Sequence, residues 1–453
     1  MATLFGDTSG TLFDKEKGAA QILVGTNDQD NLLYGDAGVS LIDSARGGGD
    51  KLIGGDNSGS GIVSNILFGD AQEMFNFARG GNDELIGGDN SGSPELFVNS
   101  LIGDAGTMFD SARGGDDKLT GGDNNGSLGL FFNELVGDAY EMTGSAQGGN
   151  DTLTAGDNNS GNFISGNSLY GDAAFMTGSA QGGNDILSGG DNSGHGVFAD
   201  SLYGDAYEMT DSAQGGNDTL TGGDNSGSGG TISVYLSGDA QEMSGSAQGG
   251  NDTLIGGNDS GSVFAFANIL LGDASEMTGS AQGGNDTLTG GDISGNGGSN
   301  SLFGDAFEMS ESAQGGNDTL TGGTNSGSGF VENTLLGDAR VMTGSAQGGN
   351  DRLISGINTT DQMWGDAEFL LDSATGGHDT FVFVGAFGDD FVNDFHQGED
   401  TLEFRVAGVA DFGDLDIDVI GSDTVISTTV SATDTVTLVG FTGTLTDSDF
   451  LFS

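Results

Sequence analysis

From about residue 31 to residue 380 the chain repeats itself in two motifs held in a nearly fixed mutual register. The first, Leu-x-Gly-Asp-Ala with Met replacing Leu in the last copy, recurs eleven times. Its aspartates are Asp36, Asp70, Asp104, Asp138, Asp172, Asp205, Asp239, Asp273, Asp305, Asp338 and Asp366. A second motif, mostly Gly-Gly-Asn-Asp-x-Leu, follows each one, ending on Asp50, Asp83, Asp117, Asp151, Asp185, Asp218, Asp252, Asp286, Asp318, Asp351 and Asp379. The first aspartate precedes the second by 13 residues in ten copies and by 14 in the first, whereas the step to the next copy varies from 15 to 21. A segment of fixed length closes a defined geometry, and a variable one bulges into solvent. The period, mostly 33 or 34 residues, is that of stacked units, each burying its apolar face only against its neighbours.

Alternation at period two identifies the unit. In Asn167-Ser168-Leu169-Tyr170, Asn167 and Leu169 share a face, and Asp151-Thr152-Leu153-Thr154 alternates likewise. These are strands of four to five residues ended by glycine, and helix-length apolar periodicity is nowhere sustained. Two strands per period, with a third in the variable segment where Phe131, Asn133 and Leu135 share a parity, describe a coil of a parallel β-solenoid. About eleven coils of ~34 residues, stacked at ~4.8 Å, make an all-β rod of roughly 50 Å. Met four residues after most first-motif aspartates, as in Met142 and Met176, reads as a core ladder under a short helical turn rather than a thioether metal site.

Composition closes off other classes. There are 89 glycines but one proline, Pro94, and 34% of the chain is apolar, which fits neither collagen nor disorder. Acidic residues number 68 against 10 basic ones, a formal net charge of -58, and residues 119–339 contain no Lys or Arg. Like charge excludes nucleic acid as a partner and disfavours an anionic membrane surface. No apolar run approaches the ~20 residues of a membrane span. Cysteine is absent, so rigidity comes from neither disulfides nor thiolate metal sites. The N-terminal segment lacks the basic and apolar regions of a conventional signal peptide.

Stacking aligns the aspartates of successive coils about 4.8 Å apart, where each pair repels by ~1 kcal/mol in water and several-fold more near a protein surface. Over eleven coils the cost reaches tens of kcal/mol, beyond an ordinary stability of ~5–15 kcal/mol. Cations between the aspartates remove it. Hard oxygen donors, with backbone carbonyls supplying about half of six to eight ligands, suit calcium.

At these residues the chain resembles the RTX, or hemolysin-type, calcium-binding repeat, Gly-Gly-x-Gly-x-Asp-x-apolar-x. Gly149-Asn150-Asp151-Thr152-Leu153 matches its second half, while Ala146-Gln147 stands where the family has Gly-Gly. The other half-site carries Asn65, Asn99, Asn133, Asn167 or Asn268, and once Val234, in place of the ligand aspartate. The resemblance implies a β-roll expanded from 18 to about 34 residues per coil. It implies side-chain ligation by the second-motif aspartates, with carbonyls from Gly81, Gly115, Gly149, Gly183, Gly216, Gly250, Gly284, Gly316 and Gly349. First-motif aspartates are further candidates, and Asp56, Asp89, Asp123, Asp157, Asp191, Asp224 and Asp292 rank below them.

After residue 380 glycine thins, and the segments Gly388-Asp389-Asp390-Phe391-Val392-Asn393-Asp394-Phe395 and Gly398-Glu399-Asp400-Thr401-Leu402 resemble the β-roll exit of serralysin-type secreted proteins. This resemblance implies further calcium ligands at Asp390, Asp394 and Asp400. It also implies an uncleaved C-terminal signal read by an ABC exporter, type I secretion and an extracellular or cell-surface location. Three units are expected: an N-terminal cap over 1–30, the solenoid over 31–380 and a β-rich capping and secretion domain over 381–453. There is no His-Glu-x-x-His, and His195, His378 and His396 are scattered, so no enzyme is expected. The expected function is a secreted calcium-binding structural protein that self-associates into a surface layer, matrix or filament. An adhesin is the alternative, with an ice-binding solenoid or a hydrolase behind it.

Overall fold

A computed structural model describes residues 2–161, 163–263 and 265–453. Three strands per coil, each paired in parallel with its equivalents above and below, build three sheets of 16, 12 and 14 strands. The chain is an all-β parallel solenoid, as its periodicity leads one to expect. In one central coil the strands are Gly129–Val136, Ala139–Met142 and Thr152–Thr154. Register is strict: Asn133 pairs with Asn167, Met142 with Met176 and Leu153 with Leu187. The eleven motif copies fall on successive coils, and Ala2–Phe5, Thr11–Leu12 and Ile22–Val24 add one more in the same register.

One expected element is different. The residues leading to each methionine form a strand, not a helical turn, and the variable segment does not supply a separate strand. It instead extends the first-motif strand to seven or eight residues, as in Ile62–Phe68 and Gly129–Val136. The Ala139–Met142 strand buries its first and last residues and exposes the two between. Inward positions three residues apart imitate a helical turn in sequence, whereas the parallel pairing of Met142 to Met108 and Met176 satisfies the backbone as a sheet.

Two apolar columns make up most of the interior, with smaller buried clusters such as Val63, Phe97 and Phe131 at the start of the long first-sheet strands. Leucines of the first and third sheets, including Leu135 and Leu153, form one. Alanines and methionines on and beside the second sheet, including Ala139, Met142 and Ala146, form the other. Small alanines let the backbone of that column pack closely, and methionine fills what remains.

Past residue 380 two sheets continue while the second ends at Ala367–Leu370. Asp389–Val392 pairs in parallel with Ser431–Leu438, which continues antiparallel through Asp423–Thr428 to Leu415–Ile420. Phe383, Phe404 and Phe450 prolong the leucine column into this segment. Among the described residues no helix is long and apolar enough to cross a membrane.

Leu153 is fully buried and Thr152, on the same strand, is half-buried on the outer face. Leu153→Ala is expected to cost about 2–5 kcal/mol, read as a drop in the denaturant midpoint with calcium present. Thr152→Ala is expected to stay within about 0.5 kcal/mol.

Candidate metal centre

Both motif aspartates lie at the seam between the two apolar columns. In each coil the chain passes from the leucine column through the first aspartate to the alanine–methionine column, and returns through the second, as in Leu135, Asp138, Ala139, Ala146, Asp151 and Leu153. From Asp36 to Asp338 the first-motif aspartates have no exposed surface, and from Asp50 to Asp379 the second-motif ones expose 1–3%.

Backbone amides take one oxygen of each carboxylate. The first-motif aspartate accepts from the second glycine of the Gly-Gly pair, as when Gly115 N–H donates to Asp104 at 2.9 Å and Gly183 N–H to Asp172 at 2.8 Å. The second-motif aspartate accepts from its equivalent one coil before: Asp117 N–H donates to Asp151 at 2.6 Å, and Asp151 N–H to Asp185 at 2.6 Å. The other oxygen is left over. Ten second-motif aspartates, Asp50 through Asp351, keep a buried Oδ2 without any partner. So do nine first-motif aspartates at one oxygen each, whereas Asp138 shares both of its oxygens with the Gly149 amide. Asp70, Asp83 and Asp104, two from one coil and one from the next, bring ligand atoms within 4.8 Å of one another.

Glycine is required here by space. A Cβ on Gly80 would collide with the carboxylate of Asp104, and one on Gly115 with the carbonyl of Gly81 in the coil before. The first glycine of each pair makes room for the carboxylates, and the second lets successive turns approach. The Gly81-to-Gly349 series lies beside the aspartates, and its N–H groups bind the first-motif carboxylates.

The opposite corner solves the same geometry without charge. Gly122 N–H donates to Asn133 at 3.1 Å, and the Asn133 amide donates to the Gly122 carbonyl at 3.0 Å and to Asn167 Oδ1 at 2.8 Å. Asn31, Asn65, Asn99, Asn133 and Asn167 run on this way to Asp200, Val234 interrupts, and Asn268, Asn300 and Asn333 run on to Asp361. An amide donates and accepts along the same column, so this corner needs no ion. A carboxylate only accepts. The lower-ranked Asp56, Asp89 and Asp123 lie nearer the surface, and Asp56 and Asp89 accept from the next coil's amide.

At the C-terminal end the three candidates separate. Asp394 accepts from Gly365 and Asp366 N–H at 2.9 and 3.0 Å, and Asp400 from Asp379 and His396 N–H at 3.1 and 2.6 Å, so both terminate aspartate columns with their oxygens occupied. Asp390 closes the asparagine corner, accepting from Asp361 N–H at 3.1 Å, and keeps a buried oxygen free. At the other end Asp7, in Leu4-Phe5-Gly6-Asp7-Thr8, is a twelfth first-motif aspartate; Thr8 in place of Ala hides it from a strict motif reading. Gln21 stands where its second aspartate would be and donates its amide to Asp7 at 2.7 Å.

Burial pushes the seam carboxyls up: Asp50 to about 7, Asp273 to about 6, Asp379 to about 9, and fully enclosed ones such as Asp138 and Asp151 well above the carboxylate range, where neighbouring aspartates add to the rise. Folded-state values above the unfolded ~3.9 mean that the cation-free fold holds protons the unfolded chain releases. This contribution is fully present below about pH 4 and is lost as pH rises through the folded values. In chelator, the melting temperature is therefore expected to be highest near pH 4 and to fall steadily toward pH 8. A rise over that interval would show that the seam carboxylates are stabilised as anions without a cation.

No family model matches the chain, and no curated protein matches it.

Proposed function

We propose that this chain is a calcium-binding structural protein whose coils fold as the carboxylate seam fills with ions. The observation that carries this reading is the row of buried, partnerless carboxylate oxygens, two per coil through most of the solenoid. Across residues 119–339, which contain no Lys or Arg, the chain offers no such side chain to neutralise them. A buried carboxylate without a counter-charge is among the costliest groups a fold can hold. The partnerless donors are all carboxylate oxygens, and the chain has no cysteine, which favours a hard cation. Aspartates from two adjacent coils, supplemented by backbone carbonyls, suit calcium's flexible coordination better than magnesium's strict octahedron.

The role is structural rather than catalytic. The interior is two packed apolar columns, and the carboxylates between them are enclosed away from any substrate. The RTX-like repeat and serralysin-like C-terminal segment support export by an ABC transporter as an unfolded, calcium-free chain. Folding then follows at extracellular calcium, with assembly at the cell surface. Sites with dissociation constants of ~0.1–1 mM would stay empty in the cytosol and fill outside.

A calcium titration followed by circular dichroism, with the single tryptophan Trp364 as a second probe, tests the reading. A cooperative coil-to-β transition below about 1 mM calcium is expected, with magnesium a poor substitute. β-structure that survives chelation at neutral pH would overturn it. Asp151→Asn together with Asp185→Asn is expected to raise the calcium midpoint several-fold, because each keeps its shape but loses the charge.

A further inference from the structure

Outside the seam, two rows of like charge run along the solenoid on different sets of coils. Lys17, Arg46, Arg79 and Arg113 bridge one to the next in parallel, one per coil, as an exposed row along one edge. Glutamine and threonine continue the same row from Gln147 to Thr375. On the second sheet Glu208, Glu242, Glu276 and Glu308 pair in register, also one per coil, and point outward. The ion pairs among the described residues use Lys51, Arg340, Arg352 and Arg405, so neither row has a partner within the chain. Nor do they meet: their nearest members, Arg113 and Glu208, are three coils apart, about 14 Å along the axis.

We infer that the Lys17–Arg113 row of one copy docks on the Glu208–Glu308 row of a second copy. This deepens the assembly part of the function proposed above and rests on it. The occupant follows from spacing as well as sign. Both rows are set by the same inter-strand repeat of ~4.8 Å, so four cations meet four carboxylates in step, a match that an unrelated polyanion lacks. Between the guanidinium groups lies a depression of about 260 Å³ lined by Phe77, Arg79, Ser111, Arg113, Ser145 and Gln147, with room for incoming side chains. Phe77 beside the basic row is 67% exposed, and Tyr207 and Phe307 beside the acidic one are 39% exposed, so apolar surface flanks both rows. The contact joins two different surfaces. The pair therefore keeps one free row of each sign, an acidic one on the first copy and a basic one on the second, and the association propagates instead of closing.

Charge reversal on full-length chains at millimolar calcium and low ionic strength tests this. Arg46→Glu/Arg79→Glu/Arg113→Glu and, separately, Glu242→Lys/Glu276→Lys/Glu308→Lys are compared with the parent by sedimentation and electron microscopy. Circular dichroism in calcium verifies that each folds. The expected result is assembly of the parent, at least a tenfold rise in the concentration each variant needs, recovery on mixing the two, and loss of parent assembly in high salt. Parent and variants assembling alike would overturn this inference while leaving assembly intact. So would failure of the mixture to recover, or loss of binding to a soluble polyanion such as polyglutamate without loss of self-assembly. A parent that stays monomeric would overturn the assembly reading itself.

Discussion

The unpaired carboxylate seam is the constraint on which the rest of the structure depends. Parallel stacking at one repeat gives the solenoid its continuous leucine column and its unbroken backbone ladders. The same operation places every aspartate over its equivalent. A favourable apolar column and an unfavourable charged column are thus products of one register, and neither exists without the other. A fully buried leucine contributes about 1.5–3 kcal/mol, while a buried carboxylate lacking a partner costs several. Under the proposed reading the cation decides which column prevails.

The glycines follow from the seam. One of each Gly-Gly pair leaves the volume the carboxylates occupy, and the other donates its N–H to a carboxylate while passing close to the turn before. Their number in the sequence therefore reflects close approach in the seam more than flexibility. Positive backbone angles occur elsewhere, at the turn before the Ala-Gln or Ala-Arg step, where Gly144 and Gly178 alternate with Asp110, Asp211 and Glu311 as coils change. An aspartate tolerates that conformation far better than a β-branched residue does.

Much of this architecture was legible in the sequence, because period, strand alternation and the fixed 13-residue step are all local patterns. The alignment of both aspartate series into columns was legible too, since each recurs at the coil period; their burial was not, because Asp138 has the opposite parity to Leu135 and Ala139. The Ala-x-x-Met strand was not. Its inward residues are three apart, and only pairing to the neighbouring coil makes it a strand. The hydrogen-bonding role of Asn133 and its equivalents was also hidden. A repeat motif with asparagine for aspartate reads as a weakened metal site, and only the contact from each amide to the next shows a self-sufficient column. Asp394 and Asp400 differ from the other aspartates for a similar reason: as chain-terminal members of their columns they meet backbone amides that internal coils give to carbonyls or to the next aspartate.

The two corners together explain why the fold would be conditional on an ion. Each needs an acceptor for a glycine N–H, eleven residues away in the central coils, and each coil repeats it. At one corner the acceptor is mostly asparagine, whose second group donates onward, so the asparagine stretches of the column are satisfied without an ion. At the other it is aspartate in every copy, although asparagine is nearly identical in shape. Substituting the amide would have removed the repulsion at no steric cost. On the proposed reading, keeping the carboxylate leaves the cation-free chain unstable at neutral pH, where its buried groups must ionise or stay protonated against their ordinary values. A chain that has to pass through an exporter unfolded and become rigid afterwards gains from that arrangement. Under the proposed function, one corner supplies permanent order, and the other makes order depend on the surroundings.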